Sequence, residues 1–216
     1  MQYFKFLFVL LLIISLGCEQ VDDLVGGGVD APNVSYSSTT LDADFYQAGS
    51  SPAPSINWNG DQGTITLGTT LSGLSVNSTT GQLSWTKMLP PGTHTVEVVV
   101  TNSEGQVVVP VTIENPLTGT FTGTYNGSDY FSFDLMSDGT IHLRSNSATS
   151  PNEGNGTWEL VRDDVRAVYS YDGTYNYAFR GAVEQTSAKA SIVGEWYYDN
   201  SFSASQVGGT VEVDLE

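Results

Sequence analysis

Few residues in this chain have side chains that could carry out chemistry. Its 216 residues contain one cysteine, Cys18, and two histidines, His94 and His142, far apart in the sequence. The acidic pairs at 22–23 and 163–164 are adjacent residues, which cannot face one substrate across a cleft as paired catalytic carboxylates do. The sequence has no metal-ligand spacing, nucleophile elbow or phosphate-binding loop. It therefore predicts a non-catalytic protein without a cofactor or bound metal.

The surroundings of Cys18 are typical of an exported protein. A single charge, Lys5, precedes an apolar run over 6–16, which is shorter than the roughly 20 residues of a membrane span. Such a run followed by small residues predicts a cleaved signal peptide over 1–17. The stretch Ser15-Leu16-Gly17-Cys18 resembles a bacterial lipobox, with Ser15 where that family usually has Leu. The resemblance implies lipid attachment at Cys18; the alternative is ordinary cleavage, with Cys18 incidental.

Residues 18–31 are rich in acidic residues and glycine. This composition cannot bury enough apolar surface to fold, so it predicts a flexible tether. Glu19, Asp22 and Asp23 resemble the surface-export signal of Bacteroidota lipoproteins. The resemblance implies an outer-membrane lipoprotein of the bacterial cell envelope, held to the membrane by its lipid and exposed on the cell surface.

The charge of the chain is strongly negative, with 24 acidic and 7 basic residues and a formal net charge of −17. Loss of Lys5 with the signal peptide leaves 6 basic residues and a charge of −18. A field of this sign repels phosphate backbones, so nucleic acid is not an expected partner.

Residues 32–115 show the alternation of half-buried strands. Val96, Val98 and Val100 share one face, and the next strand aligns Val107, Val109, Val111 and Ile113 after a turn at Gly105. These two strands predict a hairpin with one face turned to a core. Pro110 has no N–H and is expected at a sheet edge or a bulge.

The stretch 71–113 resembles the Ig-like and cadherin-like domains of bacterial surface proteins. The matching residues are Gly73-Leu74-Ser75-Val76, Thr80-Gly81-Gln82-Leu83-Ser84-Trp85, Pro91-Gly92 and Gly105. The resemblance implies a seven-stranded sandwich of immunoglobulin type. Cadherin-like domains often bind calcium, which makes calcium-dependent adhesion one hypothesis. The nearest acidic pair, Asp42 and Asp44, has few further oxygen ligands around it, and this favours a solvated strand face.

Residues 117–216 predict an eight-stranded, up-and-down antiparallel β-barrel. The expected strands are 119–126, 130–136, 140–146, 156–162, 165–171, 174–181, 189–198 and 209–215. Tight turns are expected at Asp138-Gly139, Asp163-Asp164 and Asp172-Gly173. A meander of eight strands can close on itself and remove its exposed edges. Gly119-Thr120-Phe121 and Gly194-Glu195-Trp196 resemble strand starts of calycin-like barrels of the avidin and lipocalin type.

The residues expected inside this barrel are large. Alternation predicts an inward set of Phe121, Tyr125, Phe131, Phe133, Leu135, Ile141, Leu143, Trp158, Leu160, Tyr175, Tyr177, Phe179, Ile192, Trp196, Val211 and Val213. An eight-stranded barrel is just wide enough to be filled by side chains or to hold one small molecule. The nine aromatic rings favour a filled lumen, and a hollow lumen that carries a small apolar ligand is the alternative.

Two long polar loops, 146–156 and 200–209, could form a binding surface at a mouth of the barrel. Tyr197 and Tyr198 lie beside the second loop and are candidate ligand-binding residues that could stack on a sugar. Ordinary solvated loops are the alternative. The sequence thus predicts a membrane-anchored envelope protein that binds a glycan or a protein partner.

Overall fold

The computed structural model describes residues 30–216, so the signal peptide, Cys18 and most of the tether lie outside the described residues. The regular secondary structure of the described residues is almost entirely β-strand, which confirms the all-β prediction. Its first part contains β1 (Asn33–Ser35), β2 (Thr40–Asp42), β3 (Gly49–Ser50), β4 (Ser55–Asn57), β5 (Thr64–Leu67), β6 (Leu74–Val76), β7 (Leu83–Trp85), β8 (Gly92–Thr101) and β9 (Gln106–Asn115). Its second part contains β10 (Gly119–Tyr125), β11 (Asp129–Leu135), β12 (Thr140–Ser145), β13 (Asn152–Val161), β14 (Asp164–Ser170), β15 (Tyr177–Gln185), β16 (Ala190–Tyr197) and β17 (Val207–Leu215), with one 3-10 turn at Ala204–Gln206.

The first part is an Ig-like sandwich. It contains a four-stranded sheet in the order β2-β9-β8-β5, a three-stranded sheet in the order β3-β7-β6 and a separate short pair, β1-β4. The predicted hairpin is β8-β9, with Val98 opposite Val109 and Val100 opposite Val107. Pro110 lies opposite Glu97 of β8, and the parallel ladder between β9 and β2 covers only Thr112 to Glu114. On the β2 side, β9 therefore has no ladder partner at Pro110. The missing N–H therefore leaves no ladder bond unmade, as expected for an edge position.

The second part is a closed barrel in which β10 to β17 pair in sequence order and β17 pairs with β10. The closing ladder sets Phe121 opposite Leu215 and Tyr125 opposite Val211. Every ladder is antiparallel, which confirms the up-and-down barrel.

The predicted turns differ in accuracy. The turn at Asp138-Gly139 is present, with Gly139 at φ 82°. The turn expected at Asp163-Asp164 is one residue earlier, because Val161 pairs with Asp164 and Arg162 takes the left-handed conformation at φ 61°. The turn expected at Asp172-Gly173 is wrong in length, since β14 ends at Ser170 and β15 begins at Tyr177.

This longer loop accounts for the error at Tyr175. The expected strand over 174–181 would have turned this ring into the lumen, but its side chain lies in the loop and is 66% exposed. The other members of the predicted inward set lie in the barrel core or pack against it.

The sandwich closes one end of the barrel. Phe45 and Tyr46, which follow β2, are buried in the same apolar cluster as Phe121, and the Phe45 and Phe121 ring centroids lie 6.3 Å apart. The Tyr46 hydroxyl donates a hydrogen bond to the Thr186 carbonyl oxygen at 2.9 Å. Gln185 Nε2 donates to two carbonyl oxygens in the 87–89 segment of the sandwich, at 2.8 and 3.1 Å. The two parts are therefore joined by a packed and hydrogen-bonded contact. Among residues 30–216, no helix is both long and apolar enough to cross a membrane.

Candidate functional site at the open end of the barrel

The end of the barrel farthest from the sandwich holds a pocket of about 230 Å³. Each of the eight strands, or the loop residue next to it, contributes to the lining. The lining residues are Tyr125, Phe131, Ser145, Asn146, Asn152, Tyr169, Tyr171, Tyr177, Trp196 and Val211. Inward and outward side chains alternate along each strand, so closure of the sheet brings these inward residues together at one end. We call this pocket the barrel mouth.

Six aromatic rings form a closed circuit around the barrel mouth. Starting from Tyr125, the circuit runs through Trp196, Tyr177, Tyr171, Tyr169 and Phe131 and returns to Tyr125, with neighbouring ring centroids 6.1, 6.5, 5.9, 5.6, 6.4 and 6.0 Å apart. Centroid distances in this range are those of favourable aromatic pairs. The rings therefore support one another around the space that they enclose.

The floor of the barrel mouth is continuous with a packed aromatic column. Phe131 is 2% exposed and lies 5.7 Å from Phe133, which stacks on Phe179 at 4.8 Å and on Phe121 at 5.6 Å. Phe45 of the sandwich continues the column beyond Phe121. The lower lumen is thus filled, as favoured from the sequence, and the remaining space lies at the mouth.

Local hydrogen bonds orient two of the six rings. The Trp196 indole Nε1 donates to Asn126 Oδ1 at 3.0 Å, and the Tyr125 hydroxyl donates to Asn146 Oδ1. Both asparagines take left-handed backbone conformations in the turns that end β10 and β12. Asparagine tolerates this conformation better than most residues. The same two residues therefore form the turns and, through their side chains, hold the rings.

A glycine in β17 leaves room for the Trp196 indole. A Cβ atom at Gly208 would lie 2.3–2.4 Å from three carbon atoms of that ring. Any other residue at this position would therefore displace the indole from its place in the circuit. The bulge in the ladder between Trp196 and Tyr197 lies at the same point of the barrel wall.

The lining of the barrel mouth contains no ionised side chain. Burial raises the pKa of Tyr169 well above its ordinary value, and burial also raises the pKa of Tyr171. The pKa of Tyr125 is raised by burial and, to a smaller extent, by the charge of Asp129. These phenols stay neutral at physiological pH. The pocket therefore offers aromatic faces together with hydroxyl groups and the polar side chains of Ser145 and Asn152.

The ligand-binding residues expected from the sequence lie outside this lining. Tyr197 points to the outer face, where it is 5% exposed, packs on Phe202 at 5.6 Å and donates a hydrogen bond to Glu195 Oε2. Tyr198 is 59% exposed, and its ring centroid lies 4.7 Å from that of Trp196. Tyr197 thus has no free ring face, whereas Tyr198 has one, and sugar binding at either residue stays a prediction.

The two histidines lie apart and have different surroundings. His94 Nε2 lies 2.9 Å from the Pro90 carbonyl oxygen in the sandwich. His142 lies on the outer barrel face, with its ring nitrogens 3.7 Å from Asp134 and 3.9 Å from Glu153. Asp42 and Asp44 are both exposed at the end of β2. Within residues 30–216, no three His, Cys, Asp or Glu side chains lie close enough to hold a metal ion. Calcium-dependent adhesion stays a prediction.

The sequence interpretation missed half of the pocket. Tyr169, Tyr171, Ser145, Asn146 and Asn152 were not assigned to the barrel interior, although Phe131, Tyr125, Tyr177, Trp196 and Val211 were. The sequence does indicate that Tyr169 points inward. Val165, Ala167 and Tyr169 occupy alternate positions of β14 and share one buried face. Asn146 and Asn152 fall within the loop 146–156 that the sequence placed at a mouth of the barrel, but no local pattern singles out these two residues.

Comparison with known proteins identifies the first part of the chain. Residues 31–116 match the family model described as "Putative Ig domain". No curated protein and no solved structure matches the chain. An Ig-like domain followed by a closed β-barrel with a pocket at its free end is typical of non-enzymatic binding modules.

Proposed function

We propose that this protein is a non-catalytic lipoprotein of the bacterial cell envelope that binds one small ligand in the barrel mouth. The observation that carries the proposal is the circuit of six aromatic rings around a pocket of about 230 Å³. Binding pockets for small molecules are concave, mostly apolar and supplied with a few polar groups that fix orientation, and the barrel mouth has each of these properties.

The direction of the chain supports the anchored arrangement. Asp30, the first described residue, accepts a hydrogen bond from Asn102 in the turn between β8 and β9, and Ala31 accepts one from Asn59, which follows β4. The other end of β8 begins at Gly92, which faces Leu160 of the barrel. β8 has ten residues and a strand rises about 3.3 Å per residue, so the tether joins the sandwich about 30 Å from the barrel. A lipid at Cys18 would therefore hold the chain from the end of the sandwich that lies away from the barrel.

A second candidate function is contact with a glycan or a protein partner through the loops around the mouth. Tyr198 supports this candidate, because its ring is 59% exposed beside Trp196. Exposed aromatic rings flanked by Ser and Asn side chains suit adaptable polar recognition. A partner on this surface would contact Tyr198 without filling the barrel mouth.

Native mass spectrometry of the full protein purified from its host in mild detergent tests the small-ligand proposal. We expect an added mass beyond that of the acylated chain, and we expect it to be lost in Tyr177→Ala, which removes one ring of the circuit. Tyr175→Ala is the matched control, because that ring is exposed in the neighbouring loop. Wild-type protein without added mass, or a Tyr177→Ala variant that keeps it, would contradict the proposal.

The anchoring proposal has a separate test. Mass spectrometry of the N-terminal peptide should show Cys18 as the first residue and carrying acyl chains, and Cys18→Ser should release the protein from the membrane fraction. An unmodified Cys18 in wild-type protein would refute the lipoprotein assignment without affecting the pocket.

A further inference from the structure

We infer that the ligand of the barrel mouth is a small organic cation, an alkylated ammonium compound. This inference rests on the proposed small-ligand function and adds the chemical class of the ligand. It is drawn from the arrangement of the aromatic faces, from the charges around the rim and from the size of the pocket.

The aromatic circuit presents π-systems on all sides of the space that it encloses. The faces of Trp, Tyr and Phe rings carry negative electrostatic potential and attract a cation that lies within about 6 Å of the ring centroid. Consecutive rings of the circuit are inclined by between 44° and 90°, and the one stacked pair among the six, Tyr169 and Tyr177 at 28°, is in direct contact at 6.0 Å. Rings at such angles surround a compact group rather than sandwich a flat one, and a tetrahedral ammonium head group has this shape.

The four loops around the barrel mouth carry charges of one sign. Its four connecting loops, 126–128, 146–151, 171–176 and 198–206, contain Asp172 and Asp199 but no Lys, Arg or His. Asp129 adds a third carboxylate at the strand end that borders the first loop, whereas Glu153 lies opposite Arg144 in the ladder between β12 and β13. The lining contributes no countercharge, so these carboxylates set a negative potential over the opening. A cleft of one sign raises the local concentration of ligands of the opposite sign.

Basic residues of the described chain are found elsewhere. Arg162 and Lys189 lie in the connections at the closed end of the barrel, and Lys87 lies in the sandwich with its Nζ 4.9 Å from the Tyr46 ring centroid. Arg144, near the mouth end of β12, points outward and pairs with Asp134 at 2.7 Å. An anionic ligand would therefore find no basic partner among the residues that line the mouth.

The volume limits the size of the group that is held. A space of about 230 Å³ corresponds to about eight water molecules at about 30 Å³ each. It suits a trimethylammonium head group and is too small for a long acyl chain. The hydroxyl and amide groups at the rim could bind a polar substituent on the same ligand.

Calorimetric titration of the full mature protein with choline and with its neutral isostere 3,3-dimethylbutan-1-ol tests the inference. The two probes have the same shape and differ in charge. We expect choline to bind at least tenfold more tightly, with an affinity that falls as salt is added. Equal affinity for the two probes would overturn the cation inference and leave the small-ligand proposal standing. A neutral compound found bound to the protein purified from its host would likewise overturn the cation inference and leave the small-ligand proposal standing.

Variants separate the contribution of the rings from that of the rim charges. Tyr177→Leu keeps an apolar side chain and removes a π-face, so choline affinity should fall by about tenfold, whereas Tyr175→Leu should leave it unchanged. Asp172→Asn and Asp199→Asn keep the acceptor oxygens that hold their own loops. Each should weaken choline binding a few-fold at low salt and have no effect at high salt. Unchanged choline affinity in all of these variants would place the cation outside the barrel mouth and refute the inference.

Discussion

The two ends of the barrel are both rich in aromatic residues, but one end is a packed core and the other encloses a pocket. At the closed end, Phe121, Phe133 and Phe179 have no exposed surface and stack on one another under Phe45 of the sandwich. At the open end, six rings of similar size stand around a pocket. An aromatic-rich lumen can therefore be core at one end and binding site at the other.

The difference lies in what covers each end. The closed end is covered by Phe45 and Tyr46, which the sandwich inserts into the barrel cluster. The mouth end has only loops around it, and hydrogen bonds from Trp196 and Tyr125 orient two of its six rings, while Phe131 and Tyr169 pack into the barrel core. Ring content alone therefore does not distinguish a core from a site. What distinguishes them is whether other residues cover the rings and how neighbouring groups orient them.

The largest expected effect is at the closed end. Phe133→Ala removes a fully buried ring that stacks on two others, so it should lower the free energy of unfolding by about 4 kcal/mol. Tyr177→Ala at the mouth should cost only about 1 kcal/mol, because its ring is half-buried. Urea denaturation of both variants measures the contrast. Equal losses would erase the distinction between floor and mouth.

Truncation of the covering ring comes next. Phe45→Ala should lower the free energy of unfolding by about 3 kcal/mol and weaken the contact between sandwich and barrel, because Phe45 is 5% exposed within the barrel cluster. Calorimetric unfolding should change from one transition to two as the parts uncouple. A single transition with an unchanged midpoint would show that the sandwich does not stabilise the barrel.

A smaller effect is expected from one hydroxyl group at the same contact. Tyr46→Phe removes the hydrogen bond to the Thr186 carbonyl oxygen and keeps the ring, so stability should fall by about 1 kcal/mol. The measurement is urea denaturation beside Phe45→Ala. A Tyr46→Phe loss as large as that of Phe45→Ala would mean that hydrogen bonding, rather than packing, holds the sandwich on the barrel.

The smallest effect lies on the outer face, away from both ends. Burial opposes ionisation of Asp134, but hydrogen bonds from Arg144 and Thr120 and the Arg144 charge outweigh it and lower the pKa of this carboxyl. A carboxyl whose pKa is lower in the folded state stabilises the fold above its unfolded pKa, and this stabilisation is lost as pH falls through the folded value. Asp134→Asn should therefore cost less than about 1 kcal/mol at neutral pH and nothing in strong acid.

Urea denaturation of wild type and Asp134→Asn across the acid range measures this difference. The two curves should converge as pH drops below the ordinary carboxyl pKa of 3.8. A constant offset at every pH would mean that Asp134 acts through packing instead of charge.

Local patterns in the sequence predicted the strands of this protein well. Period-two alternation found Val96, Val98 and Val100 and their partners in β9, and the Asp138-Gly139 hairpin was marked by its own turn chemistry. Alternation works here because each half-buried strand must turn one face to a core.

Contacts between distant segments could not be predicted in this way. Phe45 and Tyr46 are close in sequence to the sandwich strands, and nothing in their spacing indicates that they pack into the barrel. Tyr175 was placed inside because an Asp-Gly pair was expected to make a two-residue turn, whereas the loop runs over six residues. The barrel mouth depends on closure of all eight strands, and closure is a property of the whole sheet.

The most direct test of the central claim is a crystal structure of the full protein purified from its host. The account predicts density for a compact small molecule inside the circuit formed by Tyr125, Phe131, Tyr169, Tyr171, Tyr177 and Trp196, above a floor with no further space. A mouth filled by its own loop side chains, or a ligand held at Tyr198 beside an empty mouth, would contradict it.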